Sequence, residues 1–231
     1  MARENRQSLT KLQITRVALR LFLERGYSST TSKMIADELK MSSGNLTFHF
    51  PTKEHLLAEL TDLLCRFQWK RIEAENEVGN SSVMAICLEL MVMAAMCEED
   101  AVARDFYISA YTSPRCMATI RKNDTERAKK VFSEFCPDWT HEQFAEAEIL
   151  VSGIEYATLM TVGDDVSLEM RIAGALDTIL NIYSVPKDIR KRKIERVLSM
   201  DYRKISHDVL AEFKQFVTQA NEQAMLDLLN I

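Results

Sequence analysis

Glycine and proline are scarce in this chain, six and four among 231 residues. That scarcity excludes an architecture built on many tight turns and fits long helices joined by few of them. Long apolar runs are missing as well. The longest, residues 149–162, is broken by Glu155 and is too short to cross a bilayer. The N-terminus is polar and charged, without the apolar segment of a secretory signal, so a cytoplasmic protein is expected. Five cysteines (Cys65, Cys87, Cys97, Cys116, Cys136) form no CxxC pair, and no histidine stands at metal-ligand spacing from them. They read as reduced, buried thiols, and neither a metal site nor a cofactor is expected. Nucleophile–base spacings, phosphate loops and paired metal-ligand motifs are absent too, so no catalytic residue is assigned and an enzyme is not expected. What remains is a chain with 47% hydrophobic residues, enough for a sizeable core, and a length that suits one small and one medium domain.

The informative stretch runs over residues 14–54. Leu9, Leu12, Ile14, Val17, Leu19, Leu21, Phe22 and Leu23 recur mostly at helical spacing, with Lys11, Arg16 and Arg20 between them. Gly26 follows as the left-handed residue that closes a helix at no steric cost. Thr30 or Thr31 caps a short second helix carrying Met34, Ile35 and Leu39, in which the small Ala36 suits a close helix crossing. Lys40 and Met41 make a turn, and Ser42 or Ser43 caps a third helix. Leu46 and Phe50, four apart, point inward there and leave Asn45, Thr47, Phe48 and His49 outside. Pro51 ends that helix, and Thr52 starts a fourth. Helix, turn, short helix, turn, short helix is the layout of a helix-turn-helix reader, whose last helix enters the major groove of DNA.

Three runs carry a family resemblance: ALRLFLERGYSSTT, IADEL and GNLTFHFPTKEHLL. With them the first 60 or so residues resemble the N-terminal domain of the TetR family of bacterial transcriptional regulators. The resemblance implies an all-α homodimer with a three-helix DNA-binding head and a helical C-terminal domain for ligand and dimerisation. It also implies a near-palindromic operator that is released when a small molecule binds. By the same resemblance Thr30 or Thr31 contacts a phosphate at the start of the second helix. Asn45, Phe48 and His49 of the reading helix, which opens at Ser43 and Gly44, meet bases or phosphates, and Lys53 binds a phosphate. Ser43 stands where many members have lysine or arginine, Thr47 where tyrosine is common, and Phe48 lacks a phenolic hydroxyl. Fewer charged contacts, and hence a weaker salt dependence, are expected. Asn45 suits adenine, and Phe48 or the Thr47 methyl suits a thymine methyl.

Charge agrees with this division. Residues 1–71 carry a balance of +5 while the whole chain is −5, which leaves −10 for residues 72–231. A basic head on an acidic body is expected when only one domain meets phosphate. The domains are drawn at 1–52 and 53–231. Further helices are predicted over 53–74, 82–97, 100–111, 115–135, 140–160, 167–183, 187–200 and 202–229, with a loop at 79–82 and a turn at 163–165. Thr140 and Gln143 form a capping box. The helices after Pro186 are a C-terminal extension, long for the family, whose basic run over 187–196 reads as a solvated face.

Dimerisation is expected through helices 140–160 and 167–183. Both are apolar on more than one face, through Phe144, Ala147, Leu150, Val151, Ile154, Ala157 and Leu159 in the first and Leu168, Ile172, Ala175, Leu176, Ile179 and Ile182 in the second. Gly153 and Gly174 would allow close approach of the helix axes. The effector is expected to be small and mainly apolar, held by Met91, Phe106, Tyr107, Tyr111 and Tyr156, because a methionine-rich wall adapts to varied apolar shapes. A ligand-responsive repressor is the resulting expectation. A DNA-binding protein without effector and a thiol-based redox-sensing regulator are the alternatives.

Overall fold

The computed structural model describes residues 2–77, 82–163 and 165–219. Their regular structure is all helical: α1 (Ala2–Arg25), α2 (Ser32–Glu38), α3 (Ser43–His49), α4 (Lys53–Glu77), α5 (Ser82–Glu99), α6 (Ala101–Thr112), α7 (Pro114–Phe132), α8 (His141–Met160), α9 (Leu168–Ile182), α10 (Lys187–Leu198) and α11 (Tyr202–Gln219). The expected elements are all present, with shifted ends. α1 starts well before residue 9. α7 stops at Phe132, where the amides of Phe135 and Cys136 both turn back onto the Phe132 carbonyl. Most of the expected loop at 79–82, residue 164 of the turn and residues 220–229 of the last helix lie outside the described residues.

Local chemistry explains the boundaries. Gly26, at φ +88°, donates to the Phe22 carbonyl at 3.0 Å and ends α1. The Thr31 hydroxyl accepts from Met34 N, and Ser42 does the same for Asn45 N, so these are the caps of α2 and α3. Asp100 alone separates α5 from α6 and caps the latter through Val102 N and Ala103 N. Ser113 caps α7 with Pro114 at its first turn. The Thr140–Gln143 box is formed in both directions.

Two main apolar cores result. The first joins α1, α2, α3 and the start of α4 through Phe22, Ile35, Leu46 and Leu57, and continues into Phe106 and Ala110 of α6 and Phe213 of α11. The second surrounds α5, which packs against α4, α6, α8, α9, α10 and α11. A helix apolar around its whole circumference, such as α5, belongs in a core. α11 lies along α5 and also reaches α1.

One polar cluster is buried within the body. Arg127 of α7 grips both carboxylate oxygens of Glu89 at 2.9 and 2.8 Å and Asp124 at 3.0 Å. Nearby, Glu148 accepts from the Tyr183 hydroxyl, and Glu155 accepts from Tyr111 at 2.9 Å. One cation cannot hold four ionised carboxylates away from water. Burial pushes Asp124 up to about 6 and Glu148 up to about 8, and raises Glu155 well above the usual range.

Two tests follow from these contacts. A Cβ at Gly26 would stand 2.8 Å from Asp105 Oδ2, on a backbone that L residues avoid. Gly26→Ala should therefore cost about 1–2 kcal/mol, read as a lower urea midpoint at unchanged slope. For Glu148 the folded-state pKa of about 8 lies above that of an unfolded glutamate. The native protein thus keeps a proton that the unfolded chain releases, and stability falls as pH rises from about 5 to about 8. Glu148→Gln should flatten that fall and melt above the wild type at about pH 8; thermal melts of both proteins across the window check this, and parallel curves would reject it.

Candidate nucleic-acid interface and effector cavity

Helix α3 presents one face outward. Ser43, Gly44, Asn45 and Thr47 are exposed, and Phe48 is 70% exposed, while Leu46 and Phe50 are buried in the core shared with α1, α2 and α4, inward as expected. The Thr47 hydroxyl donates to the Ser43 carbonyl at 2.8 Å, which leaves its methyl as the outward group. His49 is half-buried with its ring edge-on to Phe48 at 5.2 Å. Burial, and then Lys11, lowers its pKa and favours the neutral imidazole. Lys33 and Lys40 are exposed on the same head. Neither was expected among the DNA contacts; their signal was charge on residues at and before the turn.

Two of the expected phosphate contacts change character. Thr30 is fully buried, and its hydroxyl donates inward to the Gly26 carbonyl at 2.8 Å and the Leu21 carbonyl at 3.3 Å. A hydroxyl so occupied does not meet a phosphate; of the pair, Thr31 is the exposed one and the cap. Lys53 turns toward the same segment. Its ammonium donates to the Tyr27 and Thr30 carbonyls at 2.9 and 3.0 Å and lies 4.0 Å from the Tyr27 ring centroid. Burial lowers its pKa, with Asp105 opposing. One of its three N–H donors remains for an outside partner.

Asp105 of α6 fastens the turn from the other side. Its carboxylate accepts from the Ser28 amide at 2.8 Å and from the Ser28 hydroxyl. Its neighbours Phe106 and Tyr107 line an apolar cavity of about 100 Å³ between α4, α5, α6 and α11, to which Leu23 of α1 also contributes. Leu64, Phe67, Val92, Met93 and Met96 form much of the wall, and α11 closes it with Ile205, Val209, Leu210 and Phe213. A smaller cavity shares Leu64, Glu89, Met93, Phe106 and Tyr107 with it and extends toward Tyr111 and Glu155.

Of the five expected effector residues, Phe106 and Tyr107 are on the main wall and Tyr111 on the adjoining one. Met91 is fully buried in the body core and lines neither cavity. Tyr156 lies at the surface, 39% exposed, stacked on Tyr111 at 6.4 Å. Neither of the two lines these cavities, because neighbours that spacing alone did not identify set which way a helical side chain faces. Sequence reasoning missed α11, whose apolar positions looked like an appendage until placed against α5.

Helices α8 and α9 divide their apolar residues between two faces. Phe144, Ala147, Val151, Leu159, Leu168, Ile172, Ala175, Leu176 and Ile179, expected at an interface, are core residues of this chain, because that face packs on α5. Outward remain Ile149, Leu150 at 59%, Gly153 and Ala157, with Met170 at 68% and Gly174 on α9. No atom lies within 4 Å of where a Cβ would stand on Gly153 or Gly174, so packing inside the chain does not require their smallness.

Residues 14–60 match the family model for bacterial regulatory proteins of the tetR family. The uncharacterized HTH-type transcriptional regulator YuxN of Bacillus subtilis is 35% identical over 80 residues, which are 35% of this chain and 28% of that protein. The HTH-type transcriptional regulator QacR of Staphylococcus aureus is 39% identical over 64 residues, 26% of this chain and 34% of QacR. The aligned part thus spans about a third of each relative's length or less. Among solved structures, the TetR family protein CprB from S. coelicolor A3(2) superposes with a TM-score of 0.45 at 22% identity, over 84% of this chain and 98% of that one. Residues 14–60 thus carry the N-terminal DNA-binding domain of the tetR family of bacterial regulatory proteins, on a chain whose described regular structure is all helical.

Proposed function

We propose that this protein is a homodimeric, ligand-responsive repressor of transcription, acting in the cytoplasm without a catalytic role. Residues 1–52 are the reading head, and residues 53–231 are the effector and dimerisation body. In each subunit the exposed face of α3 enters a major groove. Asn45 reads adenine edges, the Thr47 methyl and Phe48 touch thymine methyls, and Ser43, Gly44 and the neutral His49 approach the backbone. Thr31, Lys33, Lys40 and the remaining donor of Lys53 supply phosphate contacts. So few cations imply a shallow dependence of affinity on salt.

The observation that carries the effector half of this reading is the double engagement of α6. The helix lines the cavity with Phe106 and Tyr107, and with Asp105 it holds the Ser28 turn of the head. A small, mainly apolar molecule that fills the cavity displaces α6 and the cavity-lining part of α4 together, and the head moves with them. Release of operator requires only that the ligand prefer the displaced state by a few kcal/mol. The cavity favours this reading over a DNA-binding protein without effector. Burial raises all five thiol pKa values, to about 12 for Cys87 and Cys97. That suppresses the thiolate a redox sensor needs. The outward stripe of Ile149, Leu150, Gly153, Met170 and Gly174 suits a two-fold interface, where small residues let helix axes come close.

Fluorescence anisotropy on duplex DNA from upstream of the protein's own gene, at two salt concentrations, tests the reading. Selective binding is expected, with Asn45→Ala weakening it by about 1–3 kcal/mol and relaxing sequence preference. Binding of the wild type no tighter than to scrambled DNA would overturn the reading. Leu150→Asp should shift the protein to monomer in analytical ultracentrifugation and weaken operator binding, since one head alone makes half the contacts; a stable dimer in that variant would place the interface elsewhere.

A further inference from the structure

Leaving aside Tyr156, which is exposed, the described tyrosines of the body differ in one respect. Tyr111, Tyr183 and Tyr202 each give the hydroxyl to a carboxylate, of Glu155, Glu148 and Glu169 respectively. Tyr107 is 6% exposed, lines both the main cavity and its smaller neighbour, and has no hydrogen-bond partner for its hydroxyl among the described residues. A hydroxyl on the wall of an apolar cavity, with no acceptor in reach among the described residues, gains from any ligand group that accepts its hydrogen.

We propose that the cavity takes a neutral, mainly apolar molecule bearing one hydrogen-bond acceptor, such as a ketone or ester oxygen, which the Tyr107 hydroxyl holds by donation. This rests on the effector reading of the cavity and narrows it to a ligand chemistry. The remaining wall supplies the reasons. Around Tyr107 it is aliphatic, aromatic and thioether, through Leu64, Phe67, Val92, Met93 and Met96, so the body of the ligand is apolar. The charged member, Glu89, has both carboxylate oxygens on Arg127. It therefore needs no ligand cation, and with the Asp124 carboxylate beyond it disfavours an anion. Burial raises the Tyr107 pKa well above its ordinary value, so the phenol keeps its proton and acts as the donor. The volume of about 100 Å³ suits a molecule of roughly one ring.

The test compares acetophenone with α-methylstyrene, which has the same shape with a methylene group in place of the carbonyl oxygen. Each is titrated calorimetrically into the full chain and into Tyr107→Phe. Acetophenone should bind Tyr107→Phe about 3- to 10-fold more weakly than wild type, the range of one neutral hydrogen bond. α-Methylstyrene should bind both alike, which also shows that the variant retains its cavity. Benzylammonium and benzoate should bind the wild type more weakly than the ketone. Equal loss of both neutral probes, no loss of either, or tighter binding of benzylammonium would overturn the proposal. If none of the four binds the wild type, the effector reading of the cavity falls with it. Binding of acetophenone through Tyr107 with no change in operator affinity would uphold the assigned chemistry and count against the effector reading alone.

Discussion

The segment from Gly26 to Thr30 is the point on which the rest of the molecule depends. Its backbone takes a left-handed turn at Gly26, a conformation glycine adopts without strain. The Thr30 hydroxyl closes the turn from within by bonding to the Gly26 and Leu21 carbonyls. The Tyr27 and Thr30 carbonyls accept from the Lys53 ammonium, and the Tyr27 ring backs that charge. Asp105 takes the Ser28 amide and hydroxyl. One short turn is thereby bonded to the start of α4 and to the middle of α6. Bonds to a charged group are stronger than neutral ones, and they are directional. The orientation of the head relative to the body is consequently set by a few identifiable contacts, and any displacement of α4 or α6 is felt at the turn.

The body keeps its polar and apolar interiors apart. Arg127 gathers Glu89 and Asp124 on one side of α5, and the protonated character that burial imposes on Glu148 and Glu155 avoids further unpaired charge. On the other side, α11 covers an apolar space with Ile205, Val209, Leu210 and Phe213. Glu89 borders both, with its charge already compensated by Arg127. The contrast explains how one helical body can be rigid around its buried ion cluster and still hold a space beside α6, the helix that touches the head. α11 therefore has a place in the architecture, as a wall shared by the cavity and α1.

Much of this was legible from residue types and spacing. The capping box of Thr140 and Gln143, the stop at Gly26 and the inward pair Leu46 and Phe50 are decided within a turn or two of helix, where hydrogen-bond geometry is local. So was the exposed character of Asn45, Thr47 and Phe48, because a short helix with two inward residues has its opposite side outside. The choice between Thr30 and Thr31 was not legible. Both are competent caps, and only the position of the Gly26 and Leu21 carbonyls draws Thr30 inward.

Helices apolar on several sides were the harder case. Periodicity indicates that α8 and α9 are apolar, but their partner settles which face is core and which faces out. Contact with α5 claims Val151 and Ile172 and leaves Leu150 and Met170 exposed. Met91 and Met93 are two apart on the same helix, yet one belongs to the core and the other to the cavity wall, since a step of two residues rotates a helix by roughly 200°. The amino-acid order thus settled much of what depends on neighbours along the chain: helix class, approximate helix positions and the outward side of α3. The cavity, the free hydroxyl of Tyr107 and the bonding of Asp105 to Ser28, 77 positions apart, arise from residues distant in sequence. Spacing encodes no distance between such residues, and only packing brings them together.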